Sequence, residues 1–374
     1  MTLVHKLLII VVIFSPLLVD MGVPSAILQF LICLLAIPLI RLNSYTARRN
    51  RNIIILLFFL TFIDKINDFM SNYDIIQGLG PLIYVLSVTM CLSSLRSQNI
   101  PSFFKFLHKI LPFAIIAGLL FTYLSGIQWR ECNKEICVLI LVYWMLTFMY
   151  GKRKFVITLL AAFLNIILLD ARTMILSMSV FVLGFYILGS AKSIGLKRIL
   201  LFIEFAVSLV VVVVGIIDEF YFGIQRGSGY FSGHGLIWGL AFEAIFNSGS
   251  IHTILFGLPT DLNSLSSNFT WMNSLATDNS FLNGAVNLLE HGHVHSSIVY
   301  YILNTGVFGL LLLFYTINKS LRRNNYSIES FGFFNAIFIA ALFNGLSLTS
   351  IYIISTFFMI SLLVEFPQRG AIRF

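Results

Sequence analysis

Charge is what this chain has least of. Only 11% of its 374 residues are Asp, Glu, Lys or Arg, less than half of the about 25% typical of soluble domains. So few charges cannot solvate a surface of this size, which excludes a cytosolic enzyme, a disordered chain and a small secreted scaffold. Cysteine is scarce too, and four residues are too few for a disulfide framework. Cys33 and Cys91 sit inside apolar runs as small core residues. Cys132 and Cys137 flank a short polar stretch and can pair if it faces an oxidising compartment. What the chain has in excess is hydrocarbon: 58% hydrophobic residues, 37 Phe and a mean hydropathy of +0.93. It reads as an all-α polytopic membrane protein.

A spanning helix needs roughly 20 mostly apolar residues. Such runs fall near 6–23, 24–40, 52–69, 79–95, 110–126, 136–150, 155–170, 173–189, 199–217, 296–316, 330–347 and 350–365. These about 12 transmembrane helices put both termini on one side, and the cations test that count independently. With the N-terminus taken as cytoplasmic, only Lys65, Arg130, Lys134, Arg172 and Arg226 fall outside; the other nineteen of the 24 Lys and Arg lie inside. A miscounted helix would invert every later loop and erase this bias. The net charge of +8 therefore reports topology. Clusters such as Arg48-Arg49 and Lys152-Arg153-Lys154 call for no nucleic-acid partner. The first run lacks a small-x-small cleavage site and is read as helix one, not as a signal peptide.

Three regions follow: helices 1–9 over 1–217, a large outer loop over 218–294, and helices 10–12 with a short tail over 295–374. A loop this long is usually functional. This one carries a single basic residue, Arg226, and four of the seven histidines, with His295 just beyond it. Its 236–246 stretch, LIWGLAFEAIF, is apolar enough for an amphipathic helix on the membrane face or over a cavity mouth.

Three outer features carry candidate chemistry. Arg172, in the Asp170-Ala171-Arg172-Thr173 turn, places a guanidinium at the interface, where it can grip a phosphate or snorkel beside Asp170. The 226–238 segment, RGSGYFSGHGLIW, has glycines that let the backbone approach an anion closely, or that merely make a flexible entry loop. The 290–296 segment, EHGHVHS, alternates histidines that can supply a general base, a metal ligand or an interfacial cluster without chemistry. Inside the spans, Glu204 lies about one and a half turns from Lys197 and Arg198 and is expected to pair with them. Asn165, Asn335 and Asn344 are expected to bond between helices. Asp64 and Asp68 share a helix face at the outer end of span three, with Lys65 and water as the cheaper partners and an acceptor as the alternative.

In order and spacing these residues resemble the O-antigen polymerase and O-antigen ligase superfamily of bacterial envelope enzymes. Ala171-Arg172-Thr173 resembles that family's Ser-Arg-Thr-like turn. Residues 232–238, SGHGLIW, resemble its Ser-Gly-Arg-x-x-x-Trp motif, and Leu255-Phe256-Gly257 its following Leu-Phe-Gly. His295-Ser296-Ser297-Ile298 running to Gly306-Val307-Phe308-Gly309 resembles His-Asn-x-x-Leu followed by Gly-x-x-Gly. The likeness covers roughly 155–320. One departure stands out: His234 occupies the position of an arginine, so either His234 or Arg226 takes that arginine's part, or the local alignment differs.

The resemblance implies an inverting, metal-independent glycosyl transfer on the periplasmic face of the inner membrane, with no cofactor. The donor would be an undecaprenyl-pyrophosphate-linked oligosaccharide, and a chain-length regulator protein is an implied further partner. Arg172 with Arg226 or His234 would hold the pyrophosphate, His295 would serve the acceptor hydroxyl, and His293 and Trp238 would support the site. A polymerase extends a lipid-linked repeat unit and a ligase delivers the finished glycan to lipid A-core; the variability of polymerases favours the first. The competing class is a flippase or other transporter of lipid-linked glycans. It calls for paired broken helices in two related halves, and the sequence has no such repeat.

Overall fold

The computed structural model describes residues 2–40, 45–72, 75–125, 130–151, 176–182, 193–218, 234–247, 250–257, 296–344 and 353–368. Among them there is no strand. The helices are α1 (Leu3–Asp20), α2 (Ser25–Ala36), α3 (Tyr45–Asn72), α4 (Ile75–Ser93), α5 (Ile100–Ser125) and α6 (Arg130–Tyr150). They continue with α7 (Ile194–Ile217), α8 (His234–Asn247), α9 (Ile251–Phe256), α10 (Ser297–Arg323), α11 (Ile328–Asn344) and α12 (Ile353–Leu363). Ten of the expected spans coincide with one of these. The seventh, 155–170, lies outside the described residues, and the eighth is described over 176–182, where it is helical. Four helices among the described residues are long and apolar enough to cross a membrane by themselves: α1, α5, α7 and α10.

The surface of the bundle is apolar. On α7, Phe202, Ile203, Val207, Val210, Val213 and Val214 face outward, while Leu201, Ser208, Val212 and Gly215 face in. Phe113, Ile116 and Leu120 do the same on α5. A soluble protein does not expose apolar patches of this extent, and a helix with its backbone bonds closed internally is a structure that hydrocarbon tolerates. The chain is membrane-embedded. Its interior is aromatic, with Phe104 and Phe333 both packed on Phe366 at 4.9 and 4.7 Å between ring centroids.

Several helices are longer than their apolar runs. α3 begins at Tyr45, so Arg48, Arg49 and Arg51 lie in its first turns, and α5 begins at Ile100, ahead of Lys105 and Lys109. α2 instead stops early, giving way to a 3-10 turn over Ile37–Leu39, because Pro38 has no N–H to continue the ladder. The polar stretch before span six is also helical. Cys132 and Cys137 fall on one helix, α6, and Cys137 is a buried free thiol, so the pairing allowed by the sequence does not form.

One end of the bundle is tied by donors that satisfy helix C-terminal carbonyls. Arg323 donates to the Leu362 carbonyl at 2.8 Å and to Asn50; Asn50 donates to the Leu363 carbonyl at 3.0 Å. Arg49 pairs with Glu365 and donates to the Arg323 carbonyl at 2.7 Å. Lys197 reaches the Tyr326 carbonyl, and the Tyr150 hydroxyl the Pro367 carbonyl. The start of α3 and α7 therefore meets the ends of α6, α10 and α12. Burial holds the Tyr326 phenol, in the turn after α10, above its usual range against the pull of Arg198. Lys197 is thus engaged away from Glu204, whose two buried carboxylate oxygens have no hydrogen-bond partner. The expected Glu204 pairing is not made: Lys197 spends its donor on the Tyr326 carbonyl at 2.8 Å instead.

Candidate functional site

The described residues of the 218–294 segment pack into the bundle. α8, which begins at His234, packs against α7 and α10. It buries Ile237, Trp238, Leu240, Ala241 and Ile245. The helix expected on the membrane face or over a cavity mouth is packed between α7 and α10 and buries its described apolar residues there. Trp238, placed at the site's support by the sequence, is fully buried.

α9 ends at Gly257, whose φ is 88° and ψ 175°, and its N–H donates to the Thr253 carbonyl at 2.8 Å. α10 is interrupted at Gly306, with φ 65° and ψ −169°. Both conformations belong to a region essentially reserved for glycine. The two residues cross at close quarters. A Cβ on Gly257 would lie 2.6 Å from the Asn304 carbonyl oxygen and the Thr305 nitrogen, and one on Gly306 would lie 2.5 Å from the Phe256 nitrogen. Phe256 also packs on Phe308 at 5.8 Å and on His252 at 5.1 Å. The Leu255-Phe256-Gly257 and Gly306-Val307-Phe308-Gly309 segments are thus one contact.

Beyond the break, α10 starts with Ser296 as its N-cap, fully buried, its hydroxyl accepting from the Val299 N–H at 3.4 Å. In the first turn the Tyr300 hydroxyl donates to both carboxylate oxygens of Asp64, at 3.2 and 3.3 Å. Asp64 is 4% exposed. Fourteen residues of α3 separate Asn50 from Asp64, about 21 Å along a helix, whereas twenty-three residues of α10 separate Tyr300 from Arg323, about 35 Å if straight. The same two cross-links bound both lengths, and the break at Gly306 takes up the difference, so 297–305 does not continue the axis of 307–323.

Asp64 and Tyr300 are what sequence reasoning missed as a pair. A carboxylate in an apolar run was the signal, but nothing in the sequence named its partner. The side chain of Asp68 lies outside the described residues, as do those of His234 and Asn344. Arg172, Arg226, His291, His293 and His295 lie outside them altogether, as do Asp170 and Asn165. Asn335 is buried with its carbonyl oxygen unpartnered, so the expected interhelical bond is not made through that atom. Among the described residues no group of three or more His, Cys, Asp or Glu is arranged to hold a metal ion.

No protein-family model matches this chain, and neither the curated proteins nor the solved structures yield a match.

Proposed function

We propose that this chain is an O-antigen polymerase of the bacterial inner membrane, with both termini cytoplasmic and its working face periplasmic; O-antigen ligase is the alternative. The observation that supports the reading most is the meeting of Leu255-Phe256-Gly257 with Gly306 and Phe308, two segments of the family's ordered motif set that are far apart in sequence. In this reading the acceptor hydroxyl oxygen attacks the anomeric carbon of the donor. The bond to undecaprenyl pyrophosphate breaks with inversion, and the hydroxyl proton passes to His295. Arg172 with Arg226 or His234 stabilises the departing pyrophosphate, and His293 and Trp238 support the site.

A silver-stained lipopolysaccharide gel of a deletion strain, complemented with wild type, His295→Ala or Arg172→Ala, tests the assignment. Core carrying a single repeat unit, with both variants failing to restore the ladder, is the expected result. Bare core with long glycan retained on the lipid carrier marks a ligase. An unchanged ladder in the deletion strain overturns both. That outcome would bring forward a transporter of lipid-linked glycans, the class favoured by the broken helix at Gly306. No other helix among the described residues contains a glycine break of that kind.

A further inference from the structure

Glu204 is a titratable group that the glycan chemistry does not use. It stands on α7, the most apolar of the four helices able to cross a membrane by themselves. Ten residues separate it from Ile194 and thirteen from Ile217, about 15 and 20 Å along the axis. That places it near the middle of a hydrocarbon core about 30 Å thick.

Its carboxylate faces the protein. α7 packs on α8 and α10, and Phe205, the next residue, lies 4.9 Å from Phe314 of α10 and 6.5 Å from Phe338 of α11, centroid to centroid. Both carboxylate oxygens of Glu204 are buried there, and neither has a hydrogen-bond donor. The Ser208 hydroxyl, one turn on, donates to the Glu204 backbone carbonyl at 2.8 Å and not to its carboxylate. The cations nearest along α7 are engaged elsewhere, Lys197 with the Tyr326 carbonyl and Arg198 with the Tyr326 phenol. The described charged side chains on the neighbouring helices are Glu243 on α8, Lys319, Arg322 and Arg323 on α10, and Glu329 on α11. None of them exerts a Coulombic pull on Glu204.

An ionised carboxylate with neither donor nor counter-ion is a very costly state in a low dielectric, and a group so placed neutralises itself. A metal ion could do this only with further oxygen ligands, about six to eight for calcium. Among the described residues no group of three or more His, Cys, Asp or Glu is gathered to supply them. A proton needs nothing beyond the carboxylate itself.

We propose that Glu204 is a proton-binding site inside the membrane, its carboxyl carrying one proton at neutral pH. The proton comes from water and forms an O–H bond on one carboxylate oxygen, so α7 is embedded without a buried charge. The site is independent of the glycan chemistry assigned to the outer face, and it gives the bundle one titratable proton at mid-depth.

The test is infrared difference spectroscopy of the full chain in lipid vesicles at neutral pH, wild type minus Glu204→Gln. The carbonyl stretch of a protonated carboxylic acid is expected in wild type, shifted in heavy water and absent from the variant. A difference carrying instead the paired stretches of an ionised carboxylate overturns the proposal. So does conversion of the acid band into those stretches when sodium chloride replaces choline chloride, because the site would then hold a metal cation. If Glu204→Gln does not fold, Glu204→Asp decides: it keeps the acid on a shorter arm and is expected to move the band, and an unmoved band overturns the proposal. The spectrum needs no substrate, so its outcome is separate from that of the lipopolysaccharide gel.

Discussion

Gly257 and Gly306 cross backbone to backbone, each in a conformation open only to glycine. The crossing fastens α9 into the break of α10, and so fixes where the stretch 297–305 lies.

Alanine at either glycine meets both a disallowed φ and an occupied volume. Gly257→Ala and Gly306→Ala are each expected to lower stability by at least about 2 kcal/mol. The double variant should cost well short of the sum, because the first substitution already pushes the two backbones apart. Thermal unfolding of the detergent-solubilised variants measures this, and full additivity would mean that the two glycines do not share a contact.

The Asp64–Tyr300 bond makes a smaller, more specific claim. Tyr300→Phe leaves a buried carboxylate short of a donor and should cost about 1–2 kcal/mol. In the Tyr300→Phe background Asp64→Asn should cost less than it does in wild type, giving a coupling of about 1 kcal/mol in a double-mutant cycle. A coupling of zero would place the two side chains apart in solution.

At the basic end, burial separates two arginine contacts that look alike in a list of bonds. Arg323 serves the Leu362 carbonyl and Asn50 from a partly buried position, and Arg323→Gln should cost about 2 kcal/mol. The Arg49–Glu365 pair has side chains 32% and 38% exposed, so Glu365→Gln should cost under about 1 kcal/mol. Equal losses on unfolding would contradict this ordering.

Cys137 provides a chemical check on α6. The intact mass of the purified chain should be the same before and after reduction. Maleimide should reach Cys137 only once the bundle is denatured, since the thiol is buried. A native mass lower by two hydrogens, regained on reduction, would show a disulfide and unwind the start of α6.

Much of this architecture was legible in the composition and in the spacing of apolar runs. Burial in lipid requires long apolar helices whatever their neighbours, so the runs at 6–23, 110–126, 199–217 and 296–316 mark α1, α5, α7 and α10 directly. Helix ends were less legible. The first turns of α3, α5 and α6 are polar, and a hydropathy window stops where charge begins although the backbone ladder does not. The 236–246 helix was visible, but its burial between α7 and α10 was not. Motif order pointed to Leu255-Phe256-Gly257 and Gly306 without saying that they touch.

The sequence by itself determined that this is a helical membrane protein and which loops carry its cations, because the low dielectric of lipid acts on each segment separately. Only the tertiary structure decided partners. Asp64 is met by Tyr300; Glu204 is left without a hydrogen bond while Lys197 turns to Tyr326; Gly306 breaks α10 where α9 arrives. Each of these contacts joins helices distant in sequence, and their geometry is set by how close two backbones come, a quantity that no local pattern of residues encodes.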